Sequence, residues 1–201
     1  MSKKQRQARR PDLRAELLEA AEKRVKEGGV SSLSLRNLAA DVGVTTMATY
    51  HHFANKEALL VQIAINGYEE LTAMMVADLS DDASPNENVK SIMRGYFKYA
   101  LNNLSVYHLM FGQEIQGKQT IPEFKEAASK NFYIWASALA KHLEDMDHEV
   151  DVDDVGIAFW ALLHGLVCLV SDGTILFKAG NDKTKINKLI DRAERGLYYL
   201  R

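Results

Sequence analysis

The side chains of this sequence best suited to chemistry crowd one short stretch. Thr45, Thr46, Met47, Thr49, Tyr50, His51 and His52 lie almost side by side, with only Met47, Ala48 and Phe53 apolar among them. A helix this polar and this short is not a core helix, and its residue types suit nucleic acid. Threonine hydroxyls hydrogen-bond base edges or phosphates, and Met47 and Ala48 can meet thymine methyl groups. Tyr50 and His52 sit further along, where groups that hold phosphate position a protein without reading sequence. Lys56 follows in the first turn of the next helix, an end that already carries partial positive charge. Taken alone Lys56 reads as a solvated surface lysine; beside the two-helix motif described next, the favoured reading is that it binds a phosphate together with free backbone amides. Arg36 completes the expected DNA-contacting set.

Two short helices joined by a tight turn position these groups. Leu35, Leu38, Ala39 and Val42 recur at helical spacing and give the first helix one apolar face. Gly43 follows where a helix end needs the left-handed conformation. Val44 packs inward, and Thr45 can cap the next helix. A Gly-containing turn of three to four residues between two helices is the signature of helix-turn-helix, whose second helix enters the major groove. Ala39 and Ala40 are small enough to let the two helices approach. Upstream, Pro11 suits a first helical turn, and Leu13, Leu17, Ala20, Ala21, Arg24 and Val25 recur until Gly28-Gly29. That helix braces the motif as the third member of a small bundle. Downstream, Asn55 caps a long helix expected to reach Leu79, striped by Leu59, Leu60, Ile63, Ala64, Gly67, Tyr68, Leu71 and Met75.

The run from Val44 to Leu60 resembles the DNA-binding signature of the TetR family of transcriptional regulators. The matching positions are Gly43, the small–Tyr–x–His–Phe segment ending at Phe53, and Lys56-Glu57-x-Leu59-Leu60. Residues 12–60 carry the match. One departure is Thr49, where the family often has Leu, a change expected to loosen packing slightly. Trp160-x-x-x-His164-Gly165, together with Tyr107–Gly112, is similar to the Trp-His-Gly C-terminal domain of one branch of that family.

Charge is divided unevenly. Residues 1–60 hold 11 Lys/Arg against 7 Asp/Glu, and the rest hold 14 against 20. Only the first part is therefore expected to meet a polyanion. Lys3, Lys4, Arg6, Arg9 and Arg10 read either as an arm reaching the minor groove and phosphates or as a solvated terminus. The single cysteine, Cys168, excludes an internal disulfide and fits a reducing cytoplasm. No apolar leader opens the sequence, and the apolar run Ile157–Val170, broken by His164-Gly165, reads as too short to span a bilayer.

The remainder is a succession of helices. Ser84-Pro85-Asn86-Glu87 reads as a capping box with proline at the first helical position, and Thr120-Ile121-Pro122-Glu123 as another capping-box start. Met93, Tyr96, Phe97, Tyr107, Met110, Phe111, Trp135, Trp160 and His164 are individually expected core residues. Collectively they are candidates to line an apolar cavity for a small ligand. A helix from about Asp153 to Lys178 is apolar on nearly every face, so it must be covered on all sides. With the last helix, Lys183–Leu200, it is expected to form a four-helix bundle across a two-fold axis. The expected dimer contacts are Phe159, Leu163, Leu166, Val167, Val170, Leu189, Ala193 and Leu197. The acidic segment Asp145, Asp147, His148, Glu149, Asp151, Asp153 and Asp154 fails the calcium-loop pattern, for lack of a turn Gly and a closing Glu, and reads as a solvated loop and helix cap. No Gly-rich phosphate loop, HExxH, CxxC or Gly-x-Ser-x-Gly occurs, so neither an enzyme nor a cofactor is expected.

These readings converge on an all-α chain with a DNA-binding unit over 1–55 and a ligand-binding and dimerisation unit over 56–201. The resemblance implies a cytoplasmic homodimer that places two recognition helices on a palindromic operator. A small apolar or aromatic effector would release it, and no membrane would be involved. The alternatives are a helical interaction module that no longer binds DNA and a small helical enzyme built around Tyr107 and His164.

Overall fold

Local capping sets where the helices begin. The computed structural model describes residues 12–144, 151–175 and 182–199. Helix α1 (Leu13–Gly28) starts where the Asp12 carboxylate accepts from the Ala15 amide at 3.1 Å. Helices α2 (Leu35–Val42), α3 (Thr46–His52), α4 (Lys56–Val76) and α5 (Pro85–Asn102) begin the same way, with Ser34, Thr45, Asn55 and Ser84 each accepting an amide three residues on. Then come α6 (Leu104–Phe111), a 3-10 turn at Lys118–Thr120, α7 (Pro122–Glu144), α8 (Val152–Ser171) and α9 (Asp182–Tyr199). All regular structure in the described residues is helical, as the sequence pattern implies.

Three local features differ from expectation, the first being that α8 ends at Ser171, short of Lys178. Helix α4 ends at Val76, short of Leu79. Thr120 does not cap α7, because its hydroxyl donates to the Gly117 carbonyl at 2.7 Å and closes the preceding turn. Asp151 does cap α8, accepting from the amides of Asp153 and Asp154. Asp145, Asp147, His148 and Glu149, like the basic residues 3–10, lie outside the described residues.

Helix α4 is the central post. Eight of its residues are buried, and it packs against α1, α5, α6 and α7. Two glycines allow the close approaches. A Cβ on Gly67 would sit 2.7 Å from the Met110 sulfur of α6. A Cβ on Gly95 of α5 would run into the Met74 backbone.

Helix α8 corrects the expected dimer set. Phe159, Leu163 and Val167 are at most 1% exposed within a single chain, as are Leu189 and Ala193 of α9. They are core, because α8 turns its 156–159–163–167 row inward onto its own chain. Composition shows that a helix is apolar all round but not which row faces home. The uncovered row is instead Ile157, Ala161 and Leu169, with Ile157 56% and Leu169 41% exposed. Leu166 and Val170 are half-buried, and the side chain of Leu197 lies outside the description. At 20 residues and a mean hydropathy of 1.8 over its most apolar window, α8 is long and apolar enough to cross a bilayer by length and composition alone, a test that a core helix also passes. Here it packs against α5, α7 and α9.

Candidate DNA interface and ligand cavity

The turn between α2 and α3 is three residues long. Gly43 takes the left-handed conformation (φ 71°, ψ 39°), and the Gly43 and Val44 amides return to the carbonyls of Ala40 and Ala39 at 3.2 and 2.9 Å. This closes α2 and aims the chain into α3, where Thr45 accepts from the Ala48 amide at 3.2 Å. Phe53 is buried at the far end of α3, with the Arg14 guanidinium 5.1 Å above its ring. Arg24 of α1 forms a two-armed ion pair with Asp41 of α2. This pair holds the Arg24 guanidinium above, and the Asp41 carboxyl below, the usual range.

So held, α3 presents a defined outer face. Met47 is 67% and Tyr50 49% exposed, unusual for large apolar side chains. Thr45, His51, His52 and Arg36 are exposed beside them, and Thr46 is half-buried. Thr49 is a correction: it is fully buried and faces the bundle, so it cannot touch DNA. Its position follows from helical phase, since Thr49 lies on the inward side of a helix whose outward side is Met47 and Tyr50. Lys56 is only half-buried, and its ammonium donates to the Val30 carbonyl at 2.7 Å. That bond ties the start of α4 to the end of α1's turn, a role the sequence did not suggest.

In the C-terminal body a hydrogen-bonded chain crosses the core. The Tyr96 and Tyr107 hydroxyls are 2.6 Å apart, and Tyr107 is 2.6 Å from His164 Nδ1. His164 Nε2 lies 3.5 Å from Cys168 Sγ. With the imidazole proton on Nε2, each donor finds an acceptor: Tyr96 donates to Tyr107, Tyr107 to Nδ1, and Nε2–H to sulfur. Burial pushes the Tyr96 and Tyr107 hydroxyls up, out of any accessible range, and pushes the Cys168 thiol up. Burial, then nearby His108, lowers His164. His164 is therefore a satisfied core histidine.

Two cavities lie beside this core, meeting at Tyr68 of α4. The smaller one, about 260 Å³ and called inner for its place beside Trp135 and Trp160, is walled by Phe111, Phe132, Trp135 and Trp160 with Ser129, Asn131 and Tyr133, and it opens to solvent as widely as the other. The outer one, about 540 Å³, runs between α4 and α7. Of the expected ligand-lining residues, Phe111, Trp135 and Trp160 reach the inner cavity. Met93, Tyr96, Phe97, Tyr107, Met110 and His164 line neither. The rings of Phe97, Tyr96, Tyr107 and His164 pack in succession, the Met110 sulfur accepts from the Tyr99 hydroxyl, and the polar atoms of Tyr96, Tyr107 and His164 are spent in the hydrogen-bonded chain. Sequence reading missed Tyr68, which it counted as one member of an apolar stripe; its hydroxyl in the middle of that stripe was the available signal. It also missed Lys118, 4% exposed, whose ammonium donates to the carbonyls of Leu109, Met110 and Gly112 at the end of α6. Burial lowers the Lys118 pKa.

Comparison with known proteins follows the same division. Residues 17–63 match the family model for bacterial regulatory proteins of the tetR family, and residues 89–192 match a tetracyclin repressor-like C-terminal domain. The chain is 25% identical to the HTH-type transcriptional repressor KstR2 of Mycobacterium tuberculosis over 70% of this chain and 71% of that protein. A protein of unknown function from Rhodococcus sp. RHA1 superposes with a TM-score of 0.78 at 26% identity, covering 95% of this chain and 98% of the other. The transcriptional regulator FadR from Bacillus subtilis, solved with stearoyl-CoA, shares the fold at a TM-score of 0.70 and 16% identity, covering 89% of this chain and 96% of the other.

Proposed function

Because this chain belongs to the TetR family and is a DNA-binding transcriptional regulator, we propose that it is a cytoplasmic, ligand-responsive repressor acting as a homodimer on a palindromic operator. The observation that carries the reading is the exposed Met47–Tyr50 face of α3, held out by the Gly43 turn. In the proposed mechanism residues 1–55 bind DNA and 56–201 dimerise and sense. Thr45, Thr46 and Met47 read bases, while Arg36, Tyr50, His51 and His52 engage base edges or the backbone. Lys56 gives one N–H to Val30 and keeps two for a phosphate. The repressor names of curated relatives favour repression over activation. Trp160, His164 and Gly165 favour kinship with the Trp-His-Gly branch.

Dimerisation rests on the uncovered Ile157–Ala161–Leu169 row of α8. Gly165 interrupts that row with open space, since a Cβ there would meet nothing within 4 Å. Pairing that row with its copy, flanked by α9, would give the four-helix bundle and set the spacing of two recognition helices. Light scattering tests this: the wild type should be a dimer and Leu169→Asp a monomer. The effector would occupy the cavities beside Tyr68 and favour a dimer with the wrong spacing. It must bind that state more tightly, with a coupling of about 1–3 kcal/mol.

The decisive experiment is selection of bound sequences from a random DNA library at two salt concentrations. A recovered palindrome with steep salt dependence supports the reading. Failure to enrich at low salt, repeated after unfolding and refolding to strip any bound ligand, refutes it.

A further inference from the structure

The two cavities differ in charge although one helix walls both: charged side chains line only the outer one. On α7, Ala128, Asn131, Phe132 and Trp135 follow one helical row into the inner chamber. Glu123, Glu126 and Lys130 follow the neighbouring row into the outer cleft, where Glu69 of α4 faces them. The cleft thus carries three exposed carboxylates against one ammonium.

Tyr68 stands where the chambers meet. It is 6% exposed, and its ring is fixed edge-on by Phe111 and Phe124 at 5.6 and 5.5 Å. Its hydroxyl bonds no other described residue and is not among their fully buried unpaired polar atoms, so the solvent of the cavities that its side chain lines reaches it. Water can satisfy that hydroxyl, and a ligand acceptor would take the water's place. Desolvation raises its pKa, so it remains a neutral O–H. A donor open to both an aromatic chamber and an acidic cleft describes a ligand in three parts.

We infer that the effector is an amphiphilic cation. An aromatic or branched apolar group fills the inner chamber, a hydrogen-bond acceptor takes the Tyr68 O–H, and a positively charged nitrogen lies in the outer cleft against Glu69, Glu123 and Glu126. This rests on the reading that the C-terminal body holds an effector. The cleft is unsuited to an anionic tail: carboxylate and phosphate recognition uses clustered Arg and Lys, and here carboxylates outnumber the single lysine.

Three probes share one apolar body and one ether oxygen and differ only in charge: 2-(diphenylmethoxy)-N,N-dimethylethanamine, 2-(diphenylmethoxy)ethanol and (diphenylmethoxy)acetate. Calorimetry on the full chain should give affinities in the order amine, alcohol, acid, with the amine at least about tenfold ahead of the alcohol. In the Glu69→Gln, Glu123→Gln, Glu126→Gln triple variant, checked for an unchanged melting temperature, that ratio should fall towards one. Tyr68→Phe should weaken amine and alcohol alike by about 3- to 10-fold. Equal affinities in the wild type, or a preference for the amine that survives in the triple variant, overturn the inference. The same samples are tested on operator DNA. Release by the acid in place of the amine preserves the effector cavity and overturns the charge assignment. Operator binding with no probe bound at millimolar concentration overturns the inference and leaves DNA recognition standing. Loss of both refutes the regulator reading as well.

Discussion

Thr49→Val separates two roles that the sequence leaves joined. Thr49 is fully buried, and its hydroxyl lacks a hydrogen-bond partner among the described residues. A buried hydroxyl left unpaired costs about 1–3 kcal/mol. Valine keeps the branched shape, and the two residues have similar helix propensities. The methyl that replaces the hydroxyl must fit a packed site, which returns part of the gain. The net expectation is a stabilisation of about 1 kcal/mol. For a chain of 201 residues that raises the melting temperature by about 2–4 °C. The assay is thermal unfolding followed by circular dichroism, with both proteins at one concentration because an oligomer's melting point depends on it. A titration of operator DNA runs in parallel and should show unchanged affinity. Destabilisation by about 1 kcal/mol or more would mean that the hydroxyl is bonded in solution. A marked loss of DNA affinity in a fully folded variant would mean that residue 49 does reach DNA.

Other perturbations follow from the same packing. Gly95→Ala places a methyl against the Met74 backbone, which cannot swing aside as a side chain can, and should cost at least about 3 kcal/mol in urea unfolding. Lys118→Met strands the Leu109, Met110 and Gly112 carbonyls and should cost about 2–4 kcal/mol, with faster amide exchange at the end of α6. His164 is held below 6.5 by burial, so as pH falls through 6.5 the unfolded chain takes up its proton before the folded one. Its contribution to stability is complete above 6.5 and is lost below; the urea midpoint should drop between pH 7 and 5, less so in His164→Asn, and an NMR titration placing this imidazole above 6.5 would contradict the assignment. Gln62→Ala with Asn66→Ala should leave effector affinity intact while reducing the effector's ability to release operator DNA; equal release by variant and wild type would refute the coupling route argued below.

The helix-turn-helix was legible because its determinants are local. Gly43 marks the left-handed turn, and Thr45, Asn55 and Ser84 mark helix starts that depend on only a few neighbouring residues. What was not legible depended on contacts distant in sequence. Lys56 was read from its place at a helix start, yet its ammonium is drawn to a carbonyl 26 residues earlier. Thr120 had the right spacing for a cap but was claimed by the turn behind it. The phase of α8 could not be read from a helix apolar on every side; the row that faces home is decided by Gly156 against Phe132 and Ala136 of α7, a long-range fit. The aromatic set was right as a body of core residues. Only the assembled packing separates Tyr96 and Tyr107, which satisfy each other, from Tyr68, whose hydroxyl is left open.

The fastening of the N-terminal unit constrains how a ligand near Tyr68 could act on DNA. Helix α4 is tied to α1 by Arg14 to Gln62 at 2.8 Å and Asn66 to Glu22 at 2.6 Å, with Lys26 near Glu70 at 3.6 Å. Helix α1 is tied to α2 by Arg24 and Asp41, and the turn after α1 to the start of α4 by Lys56. These bonds close a ring of α1, α2 and α4, and α3 is held to that ring by its packing on α2 and by the buried Phe53 at its end. Gly67 adds α6 to the assembly by letting Met110 and Val106 seat against α4, and α6 in turn touches α1. A molecule wedged between α4 and α7 at Tyr68 therefore acts on a unit that moves as a whole. Tyr68 lies 12 residues, about 18 Å, along α4 from Lys56, so a small rotation at the cavity becomes a larger displacement of the recognition helix. A rigid displacement leaves the contacts of one α3 with one half-site unchanged. It alters DNA binding only through the distance between two such units, which is why the proposed effector response requires the α8 dimer.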